Sequence, residues 1–187
     1  MTRKSIRFAI ACVTLIACAV PVRGQSLSGT LDATLTLETA CAISGTTLTS
    51  GIDLGTLAFG TWPATFTGQL TAQATGGPGG AGNTTVVCSP DVSSIQITID
   101  GGGNAGQGSS IGTGARALAS SGKFMPYDVF SDSGHTTAYP INTGVSVNVS
   151  GSGAAFDLPI YGLVNKTTAN AVDAGAYTDT LQVTIEW

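Results

Sequence analysis

Apolar and polar residues alternate one for one in short runs along this chain, and glycine-rich breaks separate the runs. Ile95, Ile97 and Ile99 mark one run, Val145, Val147 and Val149 another, and Phe156, Leu158 and Ile160 a third. A period of two sends successive side chains to opposite faces of an extended strand, so one face is buried and the other solvated. The breaks, such as Gly76-Gly77-Pro78-Gly79-Gly80 and Gly101-Gly102-Gly103-Asn104, are turn sequences. Helix signals are nearly absent. With 26 Gly, only 10% charged residues and many Thr, Val, Ile and Ser, the composition is that of strands and turns. Strands are expected near 30–38, 40–49, 52–59, 66–74, 84–88, 94–100, 115–119, 124–130, 145–149, 155–163 and 176–187. So many short strands in one domain imply an all-β sandwich or barrel. No internal repeat and no second folded domain are visible.

The first 24 residues follow a different pattern. Arg3, Lys4 and Arg7 form a basic start, Phe8 to Val20 an apolar stretch, and Val22-Arg23-Gly24 a small-residue cleavage sequence. This reads as a secretory signal peptide cut after Gly24. The apolar stretch is shorter than the roughly 20 residues a membrane span needs. Leu15-Ile16-Ala17-Cys18 supplies a rival reading, a bacterial lipobox that would leave a lipid on Cys18.

Processing after Gly24 leaves Arg116, Lys123 and Lys166 as the basic residues, against all 11 Asp and Glu. So acidic a chain disfavours nucleic acid and anionic lipid as partners, because both need basic surface. Cys41 and Cys88 also remain. In an exported protein two cysteines most simply form one disulfide. A metal site is the alternative, but two Cys and a lone His do not complete a tetrahedral set.

Two stretches at opposite ends of the processed chain stand out. After the polar lead-in Gln25 to Gly29, Leu31, Ala33, Leu35 and Leu37 fall on one face, and Asp32, Thr34, Thr36 and Glu38 fall on the other. This is a strand, either the first of its own sandwich or a mobile arm. At the other end, Leu181-Gln182-Val183-Thr184-Ile185-Glu186-Trp187 alternates to its last residue. A half-buried strand there is expected to leave an edge without cover, and such an edge invites another chain.

Several motifs, in order, carry a resemblance. They are Thr39-Ala40-Cys41-Ala42-Ile43, Leu57-Ala58-Phe59-Gly60-Thr61-Trp62, Val86-Val87-Cys88, Arg116-Ala117-Leu118 and Met125-Pro126-Tyr127-Asp128-Val129-Phe130-Ser131-Asp132, then Ile160-Tyr161-Gly162-Leu163 and the run from Ala174 to Ile185. Together they resemble the spore coat protein U family, which includes subunits of archaic (Csu-type) chaperone–usher pili. One departure is Tyr139-Pro140, where similar proteins often carry Trp-Gly. The resemblance implies an immunoglobulin-like β-sandwich that lacks its last strand and carries an N-terminal donor strand. It divides the chain into a signal peptide (1–24), a donor segment (25–38) and a sandwich domain (39–187).

On that resemblance, Leu31, Ala33, Leu35 and Leu37 would plug a groove on the next subunit. Leu181, Val183, Ile185 and Trp187 would line the matching groove, first lent a strand by a periplasmic chaperone. The carboxylate of Trp187 would offer basic chaperone residues a grip. The implied partners are other pilus subunits, the chaperone and an outer-membrane usher; no cofactor is implied. The protein would be a non-catalytic surface subunit serving adhesion and biofilm formation. The alternative within the family is a self-complete secreted coat or surface protein, with 30–38 folded into its own sandwich.

Other motifs have plainer readings. Gly101-Gly102-Gly103-Asn104-Ala105-Gly106 fits G-x-G-x-x-G, but no helix pattern follows to hold a pyrophosphate, so it reads as a flexible surface loop. Gly108-Ser109-Ser110-Ile111-Gly112 fits G-x-S-x-G, with Asp128, Asp132 and His135 downstream, the order of a secreted serine hydrolase. That chemistry needs a strand-to-helix elbow in an α/β sheet, which this sequence does not provide. His135 reads as a solvated turn residue. Asp53, Asp91, Asp100, Asp128 and Asp132 lack calcium-loop spacing and read mostly as turn formers. Asp179 reads as an anchor for a turn or a cross-strand hydroxyl, and Tyr177 as a candidate tyrosine corner.

Overall fold

A computed structural model describes residues 25–187. The expected signal peptide, with its rival lipid site at Cys18, lies outside the described residues. Two compact units are distinguished, Met1–Thr36 and Leu37–Trp187. The described part of the first, residues 25–36, contains no helix or strand.

The second unit is built from strands. In chain order they are β1 (Cys41–Ile43), β2 (Thr56–Leu57), β3 (Gly68–Thr75), β4 (Thr85–Cys88), β5 (Ser94–Ile99) and β6 (Gly112–Thr113). There follow β7 (Arg116–Ser120), β8 (Lys123–Phe130), β9 (Val145–Asn148), β10 (Phe156–Asp157), β11 (Tyr161–Lys166) and β12 (Val183–Glu186). The largest sheet runs β2-β3-β11-β8-β7, with β6 also paired to β11. Two three-stranded sheets, β12-β5-β9 and β1-β4-β10, complete the sandwich. All strand pairs are antiparallel, as hairpins and crossed connections allow without helices.

The alternation explains the core. Ile95, Ile97 and Ile99 of β5 are fully buried, and they join Met125, Tyr127 and Val129 of β8, Val86 of β4 and Val164 of β11 in one cluster. The polar residues between them face outward. The expected all-β sandwich is therefore what forms.

Some elements differ from expectation. The run 155–163 breaks at Pro159, which has no N–H to give a ladder; β10 ends before it and β11 begins after it. Leu158 and Ile160 still point inward, both buried. Residues 40–49 yield only β1, and 52–59 only β2. Of 176–187 only β12 is a strand, preceded by a single bridge from Thr178 to Ala119. Residues 30–38 form no strand. The short β6 escaped the sequence reading because a glycine in it hides the pattern. A Cβ at Gly112 would sit 2.1 Å from the Asn165 carbonyl oxygen across the pair, so the close approach needs glycine.

Two basic side chains are buried. Arg116 is 0% exposed, and its fork donates to three backbone carbonyls: Asp100 at 2.7 Å, Tyr139 at 3.0 Å and Ile99 at 3.1 Å. Burial pulls its guanidinium below the usual value, and Tyr127, Asp128, Asp100 and Asp179 oppose that shift. Lys166 donates to the carbonyls of Thr168 at 2.7 Å and Asn170 at 2.8 Å, and lies over the Phe66 ring. Arg116→Lys keeps the charge but loses the planar fork, leaving buried carbonyls unpaired. It is expected to cost about 2–4 kcal/mol, read as a lower urea midpoint at unchanged m-value.

Candidate functional site

The sandwich is open along one side. Strand β12 pairs with β5, from Val183 opposite Ile99 to Glu186 opposite Gln96. It is the end strand of its sheet, and its other edge has no strand partner among the described residues. Beside that edge lies a groove of about 770 Å³.

The groove is apolar because of how the strands alternate. Leu181, Val183 and Ile185 form one wall, each half-buried, and the more exposed Trp187 lies at its end. Core residues Ile43, Val86, Tyr127 and Ile160 form part of the lining. Leu48, Ile52, Leu54, Leu57 and Phe59 add further apolar lining. Leu48 is 61% exposed, a large apolar side chain left in water.

All four residues assigned to a groove wall from the sequence, Leu181, Val183, Ile185 and Trp187, line this one. The Leu48–Phe59 lining was not foreseen as part of a site. Its residues fall in runs expected only as ordinary strands, at 40–49 and 52–59. Leu31, Leu35 and Leu37 are 95%, 83% and 84% exposed, and Ala33 is exposed as well.

The cysteines form a disulfide, Cys41–Cys88. It joins residues directly opposite each other in the β1–β4 pair. Around it, residues 39–40 are held down as well. The Ser89 amide donates to the Ala40 carbonyl at 2.8 Å, the Ala40 amide to the Ser89 hydroxyl at 3.1 Å, and the Thr39 hydroxyl to the Asp91 carboxylate. The Thr39 and Ser89 hydroxyls hold the Asp91 carboxyl below its usual value. The start of the domain is thus fixed up to Thr39.

Polar groups secure the approach to β12. Asp179 accepts from the Tyr127 hydroxyl at 2.9 Å and from the Gly103 amide at 2.9 Å. Asp100 accepts from the Gln182 amide at 2.9 Å and the Gly102 amide at 3.1 Å. Burial and the Asp179 contact push the Tyr127 hydroxyl far above the usual tyrosine value. The Tyr177 hydroxyl bonds back to the Asp173 carbonyl at 2.9 Å, four residues upstream, as a tyrosine corner does. The 101–106 segment is a set of turns pinned at Gly103, not a loose loop.

The hydrolase arrangement does not assemble. His135 Nε2 is buried with no hydrogen-bond partner, so it holds no serine. Its ring packs edge-on against Phe130, which corrects the reading of it as a solvated residue. Both Asp132 oxygens serve its own turn, accepting from the amides of Thr136 and Thr137, and those amides hold its carboxyl below the usual value. Asp128 accepts from the Ala115 amide. Ser110 sits in a turn that leads into β6 and not into a helix.

Comparison with known proteins gives three findings. The Spore Coat Protein U domain family matches residues 27–184. No curated protein matches. Among solved structures, the chain is similar to one in the crystal structure of the CsuC–CsuE chaperone–tip adhesion subunit pre-assembly complex from archaic chaperone–usher Csu pili of Acinetobacter baumannii. The identity is 18% and the TM-score 0.38, over 81% of this chain and 40% of the other. The chain therefore spans less than half the length of that solved relative.

Proposed function

Because the chain belongs to the Spore Coat Protein U domain family, we propose that it is a structural subunit that polymerises by exchanging strands. The Leu31–Leu37 arm of one copy fills the groove beside β12 of the next. One observation carries this reading: the same chain holds an alternating arm with its leucines in water and an apolar groove along an unpaired strand edge. Each lacks what the other has. Main-chain hydrogen bonds to β12 give affinity, and Leu31, Ala33, Leu35 and Leu37 entering the groove give register. Arm and groove are different surfaces, so the contact is heterologous and builds an open fibre.

The rest follows from that joint. An apolar groove with a bare edge aggregates unless covered during export, which calls for a periplasmic chaperone strand, with an outer-membrane usher as the place of exchange. The product is a surface pilus serving adhesion and biofilm formation, and it needs no catalytic group.

The test uses a chain lacking residues 25–38 and a peptide covering 29–38. The melting temperature is expected to rise with peptide concentration, by the equivalent of about 2.7 kcal/mol at a hundred times Kd. A peptide with Leu31, Leu35 and Leu37 replaced by Ser should have no effect. A truncated protein that ignores the peptide, and melts as high as the full chain, would point to a self-complete coat protein instead.

A further inference from the structure

We propose that Asp179 is a positioning residue for strand exchange, a latch that fixes the lead-in to β12 before any partner strand arrives. The proposal rests on the strand-exchange reading above. Its geometry is local to the groove. Asp179 and Tyr127 both line it. One carboxylate oxygen of Asp179 takes the Tyr127 hydroxyl and the other takes the Gly103 amide, each at 2.9 Å. Three residues on, the Gln182 amide donates to Asp100 at 2.9 Å, while the Asp100 amide donates back to the Gln182 carbonyl at 3.0 Å. Arg116 in turn grips the carbonyls of Ile99 and Asp100. The 100–103 turn is therefore rigid where Asp179 needs it. Gly102 has φ +65°, and a Cβ there would lie 2.1 Å from the Asp179 carboxylate, so the turn closes on that acid at the limit glycine allows.

Strand addition orders two chains at once unless the receiving edge is already set. A fixed edge removes that share of the entropy cost. Asp179 acts on the groove wall immediately before Leu181, Val183 and Ile185, where its two carboxyl oxygens accept from the Tyr127 hydroxyl and the Gly103 amide.

The experiment measures binding of a fluorescent peptide covering 29–38 to the full chain at nanomolar concentration, together with amide hydrogen exchange. Asp179→Ala is expected to weaken the peptide about tenfold, and Tyr127→Phe, which removes one bond and keeps the ring, about threefold. In Asp179→Ala the amides of 182–186 should exchange faster while those of 125–129 and 161–164 keep their protection. Unchanged affinity in both variants overturns the latch and leaves strand exchange standing. Faster exchange throughout β8 and β11 overturns it too, since Asp179 would then be serving general stability. A wild-type chain that binds no peptide removes strand exchange itself, and the latch with it. Should Asp179→Ala fail to fold, Tyr127→Phe decides alone.

Discussion

Leu35→Asp is expected to abolish the native oligomers of this protein while leaving the melting temperature of the isolated chain unchanged. Leu35 is 83% exposed, so the substitution removes no packing from a single chain. In a joint between copies the same side chain would enter a dry groove. Burying three Leu and one Ala there contributes on the order of 5–8 kcal/mol before ordering costs. An unpaired carboxylate in place of the central Leu forfeits part of that gain and adds the cost of desolvating a charge, a combined loss on the order of a thousandfold or more in affinity. The wild-type protein should run as a ladder of oligomers in detergent that collapses on boiling, and Leu35→Asp as a monomer before and after. Thr34→Asp, one position along on the solvated face, should keep the ladder. Loss of the ladder in Thr34→Asp as well would mean that charge on the arm matters and the face does not. A ladder that survives Leu35→Asp would sink the strand-exchange reading.

Replacing Cys41 and Cys88 together by Ser is the second large effect. The bridge closes 47 positions of sequence, and chain entropy puts its contribution at roughly 4 kcal/mol. Strand β1 is only three residues long and stands at the edge of its sheet, so besides the bridge it has only its pairing with β4, buried Ile43 and the contacts at Thr39 and Ala40. For a domain of this size that loss lowers the melting temperature by about 8–16 °C. Differential scanning calorimetry on oxidised wild type, reduced wild type and the double Ser variant measures it. Reduced wild type and the variant should coincide. Because Cys41 and Ile43 line the groove, the variant should also bind the 29–38 peptide less tightly. Equal melting temperatures with and without the bridge would show that β1 is held by the sheet alone.

Burial sets side-chain period directly, which is why so much of the sandwich was legible in the sequence. Ile95, Ile97 and Ile99, or Phe156, Leu158 and Ile160, alternate because one side of each run faces the core, and the structure buries all of them but Phe156, which is half-buried against the core. Whether an alternating run is also a strand is a different matter. That depends on a neighbour for its backbone, and the neighbour is set by tertiary folding. Ile52, Leu54, Leu57 and Phe59 fall out of step between 54 and 57, and only Thr56 and Leu57 find a partner, in β3. Leu31 to Leu37 alternate and form no strand with any of the described residues. The groove wall at Leu181 to Ile185 was visible through its pattern, and Asp179 read as an anchor for a turn or a cross-strand hydroxyl, but its partners Gly103 and Tyr127 were not legible. Arg116 and Asp100 act mostly through backbone carbonyls and amides, which carry no residue identity to read, and Asp179 meets Tyr127 from 52 positions away. Acids placed just after β5 and just before β12 were the available hint.

The burial of Arg116 and Lys166 would have a consequence at the scale of the proposed fibre. Lys123 is left as the one exposed basic side chain among the described residues, and it sits 3.6 Å from Asp173. A string of such subunits, joined as proposed, would present acidic side chains in large excess over basic ones. Its neighbours along the axis, and other strings alongside, repel over the Debye length of about 8 Å at physiological ionic strength. Dilute buffer should hold such strings apart and stiffen them, and multivalent counterions should draw them into bundles.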